Sequence, residues 1–475
     1  MPTDQELVQI VPDSRQLAYQ ETEFYAFFHF GMNTYTNREW GDGTEDPQLF
    51  NPAELNAEQW VLAAKSAGMK GIILTCKHHD GFCLWPTRYT AHSVLNSPWK
   101  NRKGDVVREV SDACGKYGLK FGIYLSPWDR NQPCYGAGKE YDDYYLAQLT
   151  ELLTGYGNIF SVWLDGACGE GPNGKKQIYD WQRYYACVRK YQPDACICVC
   201  GPDIRWCGNE AGEVRKSEWS VVPARTALAE SIQKKSQQTD DEEFRQRKIT
   251  SDMEDLGSRK ALEGEENLIW YPAEVNTSIR PGWFYHPEED TQVKSLKELI
   301  HIYCGSVGGN ATFLLNIPPM PNGLLHENDV KRLEEFGRWK RSSFSRNLAE
   351  NARILASSED PSCPVENILT DTLDTWYQPV EGSSPVELVF ELEDSCTLGY
   401  LALKEAIQHS QRIEAFQIFA SDSQTKKWIS VYSGTVVGYQ KIVPLLGLQT
   451  SKIKIKLTDF RVLPFLSFVG IYEQV

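Results

Sequence analysis

Over its first two-thirds the chain alternates short apolar runs with amphipathic helical patterns, and nothing else in the sequence constrains the fold as tightly. Eight runs read as strands: 25–30, 71–76, 120–125, 159–164, 195–200, 219–222, 268–271 and 312–317. Between them lie stretches with apolar residues at helical spacing, among them AEQWVLAAKSAGM, DVVREVSDACGKYG, YYLAQLTELLTGYG, WQRYYACVRKYQ and SLKELIHIYCGSVGG. Several reach a Gly just past the last turn, where a left-handed cap is needed. Strands alternating with helices are the signature of βα units and a parallel sheet, and eight such units predict an α/β fold of the (β/α)8 TIM-like barrel type. One segment, 224–267, breaks the rhythm; it is long, highly charged (QKKSQQTDDEEFRQRK) and reads as a solvated excursion. From NLAENARILASS onward the helical pattern stops. Short alternating runs such as PVELVFELE, RIEAFQIFAS and SKIKIKLTD predict a C-terminal antiparallel β-sandwich. The division is therefore a barrel over 1–345 and a sandwich over 346–475.

A barrel of this kind gathers its chemistry at the carboxyl ends of its strands. Reading those ends in order gives His29, then Lys77, His78, His79 and Asp80, then Ser126, Trp128, Asp129 and Arg130. The fourth run, NIFSVWLDGACGEG, ends on Asp165 with Gly166 directly behind it. After the fifth run come Asp203, Arg205, Trp206, Asn209 and Glu210; after the seventh, Glu274 and Asn276, then Trp283; the eighth ends on Asn316. A single strand-end Asp is commonly a turn residue. Polar and charged groups at seven of eight ends are hard to account for by packing alone.

Two carboxylates at such a mouth point to glycoside hydrolysis, with a separation of about 5–5.5 Å for a retaining enzyme and about 6.5–9.5 Å for an inverting one. Asp165, short and fixed at the end of a rigid strand, suits a nucleophile. A general acid needs a raised pKa and some positional freedom, which favours a loop Glu. Glu210 has that placement, with Trp206 near it in sequence, and Glu274 is the alternative because it directly follows a strand. A net charge of −15 argues against nucleic acid as a partner. No run is long enough for a membrane helix. The 14 Trp, beside scattered His and Asp, fit a sugar-binding surface. Thirteen Cys form no paired C-x2-C knuckles, and Cys196, Cys198 and Cys200 share one face of a strand, so they read as reduced, buried thiols. That usage, with no secretory pattern at the N-terminus, favours a cytoplasmic over a periplasmic or secreted setting. Two rival readings are a barrel hydrolase with a metal held by His78, His79 and Asp165, and a non-catalytic sugar-binding protein. Adjacent strand residues point to opposite faces, which opposes the first.

The segments FFHFGMNTY, NREWGDG, KHHDGF, YLSPWDRN, VWLDGA and EVNTSIRPGWFY, in that order over about residues 20–340, resemble glycoside hydrolase family 29, the α-L-fucosidases. LSPWDRN and WCGNEAG resemble its subgroup acting on α-1,3- and α-1,4-linked fucose of branched, Lewis-type glycans. The resemblance implies a retaining exo-enzyme with no cofactor and no metal. Asp165 would be its nucleophile and Glu210 its acid/base. His29, His78 and His79 would bond the fucose hydroxyls, with Glu39, Trp40, Trp128 and Trp206 as further substrate contacts and Trp283 against the C6 methyl. The partner implied is a fucosylated oligosaccharide or glycoconjugate, and the sandwich resembles a discoidin-type module. The oligomeric state is open.

Overall fold

The computed structural model describes residues 2–237, 255–422, 425 and 427–475. Eight parallel strands form one sheet. In chain order they are β1 (Phe24–Phe28), β2 (Gly71–Lys77), β3 (Lys120–Leu125), β4 (Ile159–Leu164), β5 (Cys196–Val199), β6 (Arg205–Trp206), β9 (Ala273–Ser278) and β10 (Ala311–Asn316). Their spatial order is β5-β4-β3-β2-β1-β10-β9-β6. A parallel bridge between Cys198 and Ile204 brings the two edges together, so the sheet is a nearly closed TIM-like barrel. Four of the intervening helices begin on side-chain caps: Asn56, Asp105, Asp180 and Ser295 each accept a backbone N–H from the first turn.

Two of the eight expected strands are not barrel strands. Residues 219–222 and 268–271 contribute instead to a separate antiparallel ribbon, β7 (Val221–Pro223) with β8 (Leu268–Trp270). Their apolar side chains are buried against the C-terminal unit: Trp219, Val222 and Tyr271 cluster with Val436, and Val221 and Trp270 with Ile407 and Tyr439. The actual sixth and seventh strands escape sequence reading for physical reasons. β6 has only two residues, and β9 reads AEVNTS because its inward-facing side chains are polar. Glu274 and Asn276 therefore lie within a strand rather than after one, and Glu210 lies in the loop after β6. The excursion 224–267 is described only in part. Residues 229–235 are helical and lead to Ser236 and Gln237 at the barrel mouth, while most of QKKSQQTDDEEFRQRK lies outside the described residues.

The C-terminal unit is an antiparallel β-sandwich of β11 (Arg353–Ala356), β12 (Val386–Glu405), β13 (Ile413–Ser421), β14 (Trp428–Gly434), β15 (Lys441–Phe460) and β16 (Leu466–Glu473). β12 and β15 run together for most of their length, with register shifts after Glu391 and Leu398. Those bulges turn the pair, so its first part joins β11 and its second joins β16. Tyr400, Ala402, Ile442, Phe468 and Tyr472 continue the barrel core, which joins the sandwich to the barrel. All thirteen cysteines are free, eight of them buried.

Candidate active site

The carboxyl ends of the barrel strands surround a pocket of about 570 Å³ lined by His29, Glu39, Trp40, His78, His79, Trp163, Asp165, Trp206, Glu210, Gln237, Asn276 and Trp283, among others. Ten of these were picked out from sequence: His29, Glu39, Trp40, His78, His79, Asp165, Trp206, Glu210, Asn276 and Trp283.

Asp165 projects from the end of β4. Tyr124 donates to its Oδ2 at 2.9 Å and the Ala167 N–H to its Oδ1 at 2.8 Å, while His79 Nε2 stands 3.8 Å from Oδ2. Both oxygens are thus oriented by donors. Gly166 is required by close approach: a Cβ there would lie 2.0 Å from Ser236 Oγ.

The three histidines are buried, and burial pushes His29 and His79 down to about 4 and His78 well below its ordinary value. All three are neutral at neutral pH, and their tautomers follow from fixed partners. Asn316 accepts the His29 backbone N–H and donates to the Trp283 carbonyl, so its Oδ1 faces His29 Nδ1 at 2.8 Å and that nitrogen donates. Ser126 donates to the Trp128 carbonyl, so its Oγ accepts from His79 Nδ1 at 2.7 Å. Asn33 donates to the Glu39 carbonyl and, at 3.3 Å, to His78 Nδ1. The pocket is therefore offered an Nε2 acceptor by His29, an N–H donor by His78 and an Nε2 acceptor by His79. The expectation that His78 and His79 face apart fails. β2 ends at Lys77, strand alternation stops there, and the two rings lie 4.1 Å apart on one side. Among the described residues no group of three His, Cys, Asp or Glu has the spacing of a metal site.

Glu210 sits in a loop stapled by Asn209, whose Oδ1 accepts from the Ala211 and Glu213 N–H groups and whose Nδ2 donates to the Glu213 carbonyl. The Trp283 indole donates to Glu210 Oε2 at 2.8 Å. Glu39 is a clamp beneath that tryptophan: its carboxylate accepts the backbone N–H groups of Trp283 and Phe284 and contacts His286 Nε2 at 2.7 Å. Trp206 donates to Asn276 Oδ1 at 3.1 Å.

Four of the expected residues differ in placement. Trp128 lies behind the wall, packed edge-on against Trp40 at 5.3 Å and tilted on His79 at 5.0 Å. Asp203 is paired with Arg189, and Arg205 with Glu218. Glu274 is fully inaccessible inside the barrel. Sequence reading passed over Tyr124, Trp163, Ser236 and Gln237. For the first two a signal existed, since both precede a strand end and β3–β4 pairing sets Tyr124 opposite Trp163. The last two come from the excursion, and no local pattern marks them.

Residues 12–343 match the family model described as alpha-L-fucosidase. The chain is 40% identical over 469 residues to alpha-L-fucosidase 1 of Arabidopsis thaliana, covering 97% of this chain and 87% of the relative. It is similar, at a TM-score of 0.80 and 38% identity, to the structure of a glycoside hydrolase 29 family member from an unknown rumen bacterium, covering 98% of this chain and 77% of that one. A Ruminococcus gnavus GH29 fucosidase solved in complex with fucose superimposes at a TM-score of 0.84 and 29% identity, covering 98% and 95%.

Proposed function

The chain belongs to the α-L-fucosidase family and is a glycoside hydrolase of that activity, and from this premise we propose that it releases terminal α-1,3- or α-1,4-linked L-fucose from branched, Lewis-type glycans by double displacement. Asp165 attacks the anomeric carbon, and Glu210 protonates the departing glycosidic oxygen. Glu210 then takes a proton from water as that water hydrolyses the fucosyl-Asp165 ester, so the anomeric configuration is retained. The observation that carries this reading is the placement of Asp165: its oxygens are held by Tyr124 and the Ala167 N–H, in the same pocket as Glu210 and three neutral histidines. His29, His78 and His79 take the sugar hydroxyls through their Nε2 atoms. Trp283 offers its ring to the C6 methyl while its N–H holds Glu210. Residues 1–345 form the catalytic unit, and the sandwich over 346–475 buttresses it. The linkage preference is supported by the likeness of LSPWDRN and WCGNEAG to the branched-linkage subgroup. The test is fucose release from Lewis a and Lewis x trisaccharides against 2′-fucosyllactose, with the wild type, Asp165→Asn and Glu210→Gln. Faster turnover of the α-1,2 substrate removes the linkage assignment. Full activity in Glu210→Gln removes the acid/base assignment.

A further inference from the structure

The barrel interior holds a carboxylate that the proposed reaction does not use. Glu274 on β9 is completely inaccessible and is not among the residues lining the pocket. Trp163 donates its indole N–H to Oε1 at 2.7 Å, Tyr19 donates to Oε2 at 2.7 Å, and Tyr25 donates to the same oxygen. Burial pushes the acid upward from its ordinary value, and these three donors pull it back; among the described residues no cation shares in it. A carboxylate placed in a barrel core without a counter-charge opposes folding. An apolar side chain would avoid that penalty but would leave the Trp163 indole N–H without its acceptor.

Its contacts lead to the pocket. The Trp163 indole forms part of the pocket wall and stacks on Tyr124 at 5.4 Å and 28°. Tyr124 donates to Asp165, and its ring stacks on His78 at 5.8 Å and 14°. We propose that Glu274 is a positioning residue of the fucose site: by holding the indole N–H it fixes the plane of Trp163, and through Tyr124 it sets Asp165 and His78. This rests on the reading of Asp165 as nucleophile. Glu274 itself touches no substrate, so it acts neither as acid nor as base. Glutamine keeps its shape but replaces one acceptor oxygen with an NH2 donor, which meets either the indole N–H or the phenolic donors.

The test is a double-mutant cycle in the full chain with Glu274→Gln and Trp163→Phe, read as kcat and KM on a 4-nitrophenyl α-L-fucoside with and without azide. Glu274→Gln is expected to lower kcat by about 10- to 100-fold, the effect of small misplacements at a reacting centre. The same substitution in the Trp163→Phe background is expected to change kcat by less than about threefold, because the N–H it holds is gone. Azide restores neither variant. Equal losses in both backgrounds overturn the proposal, since the effect then does not pass through Trp163. Recovery by azide overturns it as well, because Glu274 would then be the acid/base. If Glu274→Gln does not fold, Tyr25→Phe takes its place in the cycle, with the same coupling expected and the same additivity fatal. Asp165→Asn is read separately. If it turns over normally the nucleophile assignment fails, whereas the cycle tests Glu274 alone.

Discussion

Trp283 donates its indole N–H to Glu210 at 2.8 Å, so one residue both walls the pocket and orients the carboxyl proposed to transfer the proton. Hydrogen bonds to a charged group contribute about 1.5–3 kcal/mol. Trp283→Phe keeps an aromatic wall and removes only that bond. It is expected to lower kcat/KM by about 10- to 100-fold, with the larger loss on substrates having poor leaving groups. A uniform rise in KM with kcat unchanged would mean that the bond serves binding alone.

Asp165→Asn keeps the Tyr124 and Ala167 bonds in outline but removes the nucleophile. Turnover is expected to fall by at least about 10³-fold while fucose still binds. Inhibition constants for free fucose, measured alongside turnover, separate a lost nucleophile from a collapsed pocket.

Glu210→Gln is expected to slow hydrolysis of Lewis-type substrates by about 10²- to 10⁴-fold. The loss is smaller on aryl fucosides, whose leaving groups need little protonation. Azide should restore turnover on the aryl substrate. A loss independent of leaving group would contradict a proton-transfer role.

Acid should destabilise the fold through the pocket histidines. His29 and His79 titrate at about 4 when folded, against the ordinary 6.5. Between those values the unfolded chain binds more protons, so stability is complete above about 6.5 and falls toward about 4. Each group contributes up to about 1.4 kcal/mol per pH unit in that window. Melting curves across it should show a steeper decline for the wild type than for His29→Asn or His79→Asn. Parallel curves would show that other groups govern acid unfolding.

The Glu39–His286 pair has the opposite sign. Asn37 Oδ1 takes His286 Nδ1 at 2.7 Å, and the Asn37 amide is oriented by its bond to Glu288, so Nδ1 carries a proton. Nε2 faces Glu39 at 2.7 Å and carries the other. The Glu39 carboxylate, with Glu288 and Glu289 nearby, outweighs the burial that would push the histidine down, and its pKa is raised. The stability this provides is complete below the ordinary 6.5 and is lost as pH rises through the raised value. The Tm gap between wild type and His286→Asn should therefore shrink as pH goes from about 6 to about 9.

The positions of Asp165, His29 and Asn316 were legible in the chain because each ends an apolar run whose period and length define a strand. His78 and His79 were legible as site residues but not in orientation, since that depended on where β2 stops. Glu39 was legible only through resemblance, and its clamp on the backbone of Trp283 and Phe284 joins residues 244 positions apart or more. Trp128 reads as a wall residue in sequence and proves to be a support, because exposure depends on what packs in front of it.

By itself the sequence determined the α/β barrel, the sandwich that follows it and the strand that presents Asp165, because hydrophobic periodicity is a local record of which side of an element is buried. Only the tertiary structure decided which segments close the barrel. β7 and β8 carry the apolar signal yet pair with each other under the sandwich, whereas β9 carries Glu274 and Asn276 inward and is a barrel strand. Periodicity reports burial but not the partner that causes it. A barrel that buries polar groups to build its site inverts the signal at the strand where that site is anchored.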